Sequence, residues 1–171
     1  LGKKYSQAVN VLIFIFPILI NSVKVGGDIV LCILAVMGIF IAISEKLSPF
    51  TIKEIKVFSY LTIGYFIAIC LSVIFSGKAI ELANYLSRDV YFLVAPYVAL
   101  AFYKAEININ YLLIGIKVGI ILLGIIIIDQ LLSGHPRPSG VMNAGVFSNL
   151  AVSMFFVILV FYKKESFKYK I

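Results

Sequence analysis

Six apolar runs, over residues 8–23, 29–44, 57–75, 90–103, 111–132 and 144–162, occupy most of this chain and are joined only by short polar stretches. By its 171 residues alone the chain could be one small soluble domain, but the runs themselves fix a membrane reading. Most of the runs are close to the roughly 20 residues with which an α-helix crosses the hydrocarbon of a bilayer. In lipid every backbone N–H and C=O must find its partner within the segment, and a helix does this locally. The expected architecture is therefore all-α: a polytopic transmembrane helix bundle of about six spans, forming a single transmembrane domain over residues 1–171. Composition agrees, since 62% of the residues are hydrophobic and 13% charged, where soluble domains have about 25% charged residues.

Breakers and caps divide the runs. Pro17 lies inside the first span, where a proline is tolerated if neighbouring helices satisfy the carbonyl it frees. Gly26, Gly27 and Asp28 are expected to turn the chain into span two, and Ser48-Pro49 to end it. Thr51 and Glu54 have the spacing of a capping box, which predicts an amphipathic lead into span three. Over residues 76–89, Ala79, Leu82, Leu86 and Val90 recur at helical spacing while Lys78, Glu81 and Arg88 face elsewhere, the pattern of a helix lying in the membrane interface. Span four is short and contains Pro96, and residues 104–110 form a polar turn. Gly115 and Gly119 in span five make a G-x-x-x-G, read here as close helix packing.

The cations set a topology. Lys3, Lys4, Lys46, Lys53, Lys56, Lys104 and four lysines of the C-terminal tail make ten on one side, against Lys24, Lys78, Arg88 and Arg137 on the other. Lys117, near the start of span five, is expected to extend toward the lysine-rich side. Cytoplasmic loops are enriched in Lys and Arg. Both ends of the segment are thus expected in the cytoplasm, and both arginines outside. The net charge of +7 sits in these flanks, so nucleic acid is discarded as a partner. Cys32 and Cys70 fall within apolar runs and suggest neither a disulfide framework nor a metal site. Phosphate-loop, dinucleotide, zinc-protease and serine-elbow motifs are absent, so no cofactor and no metal is expected.

Chemistry concentrates between spans five and six. His135, Pro136, Arg137, Pro138, Ser139 and Gly140 form a stiff polar turn that contains the only histidine and one of only two arginines. A guanidinium holds two phosphate oxygens at once, whereas a lysine offers a point charge. Arg137, with Arg88 reaching the same place, is the candidate anion site, and the alternative is that each arginine anchors its helix at lipid phosphates. Asp129 either pairs with one of them or lies at the water interface. His135 has no acid beside it in sequence to orient its ring and is read as a loop residue, so no catalytic residue is assigned. Asn149 and Ser153 share one face of span six, as interhelical hydrogen-bonding groups or as the lining of a lipid-sugar groove.

The stretch Arg137-Pro-Ser-Gly-Val-Met-Asn143-Ala-Gly-Val-Phe-Ser-Asn-Leu150 resembles the signature turn of the O-antigen ligase and polymerase superfamily, an external Arg-x-x-Gly followed by an asparagine-rich step into the next span. Arg137, Gly140 and Asn143 match it, with Ser139 supporting the turn, and Ala144 departs from it where members often have proline. The resemblance implies an inverting, metal-independent glycosyltransferase of the bacterial inner membrane. Such an enzyme moves a glycan from an undecaprenyl-pyrophosphate carrier to a sugar or lipid A-core acceptor on the periplasmic side. It also implies that arginines hold the pyrophosphate and that the acceptor-activating histidine lies in a later external loop, so the chain is expected to be the N-terminal half of the enzyme and inactive alone. Two other classes compete. A transporter or flippase for an amphipathic lipid-sugar would show paired repeats and charges near the membrane midplane. A non-catalytic structural membrane subunit would tolerate loss of both arginines.

Overall fold

The structure is a computed structural model that describes residues 2–23, 25–76, 89–134 and 144–161, the side chains of 144–149 apart. Among these residues every regular element is a helix: α1 (Lys3–Ser22), α2 (Gly26–Ser44), α3 (Lys53–Phe75), α4 (Tyr91–Lys104), α5 (Ile109–Leu132) and α6 (Ala144–Phe161). Four of them, α1, α2, α3 and α5, are long and apolar enough to cross a membrane. α4 and the described part of α6 are shorter apolar helices.

The distribution of side chains is the reverse of that in a water-soluble protein. Large apolar groups lie outside, with Phe75 84% and Ile43 75% exposed, and Leu61, Val57 and Val160 close behind. Polar groups lie inside, where Asn10, Asn21, Ser59 and Thr62 are buried. Apolar surface on this scale is stable only against lipid. The chain is thus an all-α membrane protein with several spans.

The helices form two compact units, one from residues 1–31 and 107–171 and the other from residues 32–106. In the first, α1 packs along α5, and α6 packs on α5. The contacts climb both helices together: Asn10 Oδ1 accepts from Asn108 N at 2.8 Å, Gly115 lies against the Phe14 carbonyl, and Gly119 lies against that of Pro17. α1 and α5 are therefore parallel. In the second unit α3 packs on α4, with the rings of Tyr65 and Phe92 4.6 Å apart. There Lys104 pairs with Glu45, and seven residues back along each chain Gly38 meets the Tyr97 carbonyl. α2 and α4 are also parallel. Odd helix with odd and even with even is the pairing that alternating passage through a bilayer requires.

Several local expectations need correction. Gly26 and Gly27 are not a turn but the first residues of α2. A Cβ at Gly26 would lie 2.8 Å from Leu19 Cβ, and one at Gly27 3.1 Å from Ile20 Cγ1, so the glycines admit α1 and do not bend the chain. The capping box at Thr51 and Glu54 does not form. Ile52 caps α3 without a side-chain bond, while Thr51 Oγ1 donates backward to Ser48 O at 2.9 Å. The hydroxyl is spent on the Ser48-Pro49 turn, where Phe50 N donates to Ser48 Oγ. The polar lead before Val57 is the first turn of the same helix, Lys53 to Phe75, with Lys53, Glu54 and Lys56 exposed. The polar turn after α4 is shorter than expected: Lys104 ends α4 and Asn108 already caps α5, accepting from Asn110 N at 3.0 Å. Of the interfacial segment, residues 77–88 lie outside the described residues.

Candidate functional site

The residues singled out for chemistry, Arg137, Ser139, Gly140, Asn143 and His135, lie outside the described residues, as does Arg88. The structure fixes what flanks the first five. α5 ends at Leu132, where Ser133 N donates to Asp129 O at 2.9 Å and Gly134 N to Leu131 O at 3.1 Å. Gly134 has φ +80, a left-handed conformation that stops a helix at small cost because glycine has no Cβ. The chain resumes as helix at Ala144. Asp129 is exposed on the last turn of α5, and Ser153 is exposed on α6.

A second polar site, which the sequence reading missed, lies where α1, α5 and α6 meet. Asn21 is completely buried. Its Nδ2 donates to Pro17 O at 2.7 Å and lies 3.5 Å from Met154 Sδ on α6. Gly119 of α5 makes room for it, since a Cβ there would come within 2.9 Å of that nitrogen. The contact with Pro17 O fixes the amide orientation: turned over, two oxygens would face each other. Asn21 Oδ1 is thereby left buried with no hydrogen-bond partner among the described residues. An orphaned buried acceptor costs about 1–3 kcal/mol.

Immediately beyond this junction α5 and α6 part to form a cavity of about 240 Å³, lined by Ile120, Leu123, Gly124, Ile127, Ala151 and Met154. A Cβ placed at Gly124 would meet nothing within 4 Å, so the missing side chain keeps the space open. The signal for this site was present in the sequence. Asn10, Pro17 and Asn21 are seven and four residues apart and share one face of an otherwise apolar run.

Asn110 Oδ1 at the start of α5 is likewise buried with no hydrogen-bond partner among the described residues, whereas Ser59, Thr62 and Asn10 serve packing. Ser59 Oγ donates to Ile55 O at 2.9 Å, with Pro49 O at 3.2 Å as the alternative acceptor for its one proton, Thr62 Oγ1 donates to Ser59 O, and Asn10 Nδ2 to Ser6 O. These bonds fasten a helix to itself or to the adjoining turn. Cys32 and Cys70 are free thiols, and among the described residues no three His, Cys, Asp or Glu side chains form a metal-holding group. Lys117 is half-buried in α5 and engaged with a partner.

Fold and side-chain distribution together define a multi-span α-helical membrane protein. The sequence matches no protein-family model, no curated protein and no solved structure.

Proposed function

We propose that this chain is the front part of a membrane glycosyltransferase that transfers or polymerises a glycan carried on undecaprenyl pyrophosphate, working at the outer face of the bacterial inner membrane. The observation that carries the reading is the Arg137-x-x-Gly140-x-x-Asn143 sequence in the connection between two apolar helices, α5 and α6. Arg137 holds two oxygens of the pyrophosphate, with Arg88 assisting, and Ser139, Gly140 and Asn143 shape the turn that presents it. As the glycosidic bond breaks, negative charge grows on the leaving diphosphate, and a fixed guanidinium stabilises it most at that moment. The donor is the lipid-linked glycan, the acceptor a sugar or lipid A-core, and both ends of this segment face the cytoplasm.

The test is Arg137→Lys and Arg137→Ala in the intact gene, scored for surface glycan at matched protein level. Losing one charged hydrogen bond of a bidentate pair costs about 1.5–3 kcal/mol, a fall of roughly ten- to a hundredfold for the lysine variant and more for the alanine variant. Full rescue by lysine removes bidentate binding from the account. A cysteine placed at Ser133 should react with an impermeant thiol reagent from outside, and labelling only from inside would leave the mechanism without a substrate.

One observation favours a second reading, that of a non-catalytic membrane subunit. Most of the described buried polar groups are used in helix packing, as Asn10, Ser59 and Thr62 illustrate. Under that reading both arginine variants leave surface glycan unchanged.

A further inference from the structure

Within the first unit, α1 and α5 run side by side but are out of step at both ends. Gly115 lies against the Phe14 carbonyl and Gly119 against that of Pro17, an offset of 101 or 102 residues. Ser22, the last residue of α1, therefore stands level with residue 123 or 124 of α5. α5 continues to Leu132, eight or nine residues further, which is about 13 Å at the α-helical rise. α6 gives the same measure independently. Met154 stands at the level of Asn21, and α6, crossing the other way, begins at Ala144, ten residues or about 15 Å nearer the end of α5. At the opposite end the excess is reversed, since α1 starts at Lys3 while Asn108, the cap of α5, is already bonded to Asn10.

Composition decides which excess lies in lipid. The surplus of α1 is Lys-Lys-Tyr-Ser-Gln, residues 3–7, whereas the surplus of α5 carries Ile125, Ile128, Leu131 and Leu132, all more than half exposed. Lipid therefore surrounds α5 to its end, and residues 3–7 stand in water. From Asn10 to Ser22 the rise is only about 18 Å, against a hydrocarbon core of about 30 Å. The connection from α1 to α2 thus lies about 12 Å below the surface that α5 reaches.

Its residues are unfit for hydrocarbon at that depth. Val23 leaves the helix with extended dihedrals, and Val23 and Val25 are 48% and 53% exposed. Exposed non-helical backbone does not occur in lipid; it is tolerated inside protein or against water. Asp28 lies in the first turn of α2, one residue past Gly27, which rests on Ile20 of α1. Its side chain is partly exposed and has no ion pair among the described residues. A bare carboxylate at that depth is costly unless it meets a partner or water. We propose that water enters the bilayer here: Ser22, Val23, Val25 and Asp28 form the floor of an aqueous recess that opens on the side where α5 ends. The hydrocarbon barrier beside α1 is then about 18 Å thick in place of about 30 Å. A lipid's polar head can settle in the recess, below the membrane surface, while its chains stay in hydrocarbon. The recess follows from helix lengths and not from the pyrophosphate reading of Arg137, and it stands if that reading fails.

The chain has no tryptophan, so an introduced one reports alone. Val25→Trp, Ile125→Trp and Leu132→Trp, all at exposed positions, are made in the full chain and placed in phosphatidylcholine liposomes. The ratio of quenching by lipids brominated at shallow and deep acyl positions gives depth, and quenching by acrylamide gives contact with water. Val25→Trp and Ile125→Trp should lie at the same depth, about 10 Å below Leu132→Trp, as the seven residues from 125 to 132 require. At that common depth acrylamide should quench Val25→Trp several-fold more than Ile125→Trp. Equal quenching of these two overturns the proposal, because the connection is then in lipid. A depth for Val25→Trp equal to that of Leu132→Trp overturns it as well, because the connection is then at the surface. Backbone hydrogen exchange on the unaltered protein guards against a variant that fails to fold: residues 22–26 should exchange faster than residues 118–128 of α5, and equal protection refutes the recess.

Discussion

Gly119→Ala and Gly124→Ala add the same methyl group to the same helix five residues apart, and they are expected to move stability in opposite directions. At Gly119 the new Cβ would lie 2.6 Å from Pro17 O and 2.9 Å from Asn21 Nδ2, where ordinary contact begins at 3.4 Å. Either α1 withdraws by about 0.8 Å or the Asn21 amide leaves its position and gives up its bond to Pro17. Overpacking of this kind costs about 1–3 kcal/mol and the lost bond about 0.5–1.5 kcal/mol, offset by about 1 kcal/mol from the better helix propensity of alanine. The net loss is about 1–3 kcal/mol. At Gly124 the methyl meets nothing within 4 Å, so only the propensity term remains, a gain of about 0.5–1 kcal/mol. Unfolding by SDS from mixed micelles, followed by far-ultraviolet circular dichroism and extrapolated to zero SDS, measures both. If the two variants shift in the same direction, or Gly119→Ala lies within 0.5 kcal/mol of the parent, close packing of α1 on α5 at this point is refuted.

The same assay reaches two further features. A double-mutant cycle on Glu45 and Lys104, whose side chains are 27% and 30% exposed, should return a coupling of no more than about 1 kcal/mol that shrinks in high salt; a larger, salt-insensitive coupling would contradict a pair at the water interface. Thr51→Ala should cost only a few tenths of a kcal/mol, since its hydroxyl serves an exposed turn, whereas a helix-capping threonine would cost about 1 kcal/mol. A measured loss near the second value would restore the capping box.

Much of the architecture was legible in the chain because the rule that produces it is local. A run of about 20 apolar residues in lipid has to close its own hydrogen bonds, so the positions of α1, α3, α4 and α5 follow from hydropathy to within a few residues. Helices α1 and α5, and α2 and α4, run parallel, as helices an even number of places apart do in a chain that crosses and recrosses a bilayer. Helix starts were harder. Thr51 and Glu54 have the spacing of a cap, yet Ser48 O competes for the same hydroxyl and wins. Gly26 and Gly27 have the composition of a turn, yet they begin a helix, because what they accommodate is Leu19 and Ile20 of the preceding one.

The candidate anion site divides along the same line. Arg137 and Arg88 stood out because arginine is scarce in the chain and prolines stiffen the backbone around the first, both properties of the sequence alone. Asn21 did not stand out, since one amide in an apolar run reads as packing until its neighbours are known. Its importance comes from Gly119 and Met154, 98 and 133 residues further along. By itself the sequence determined that the chain enters lipid as a set of helices, because burying a backbone there is a problem each segment solves alone. Only the tertiary structure decided which glycine admits which carbonyl and which amide nitrogen meets which sulfur, because those are contacts between helices that no spacing along one helix records.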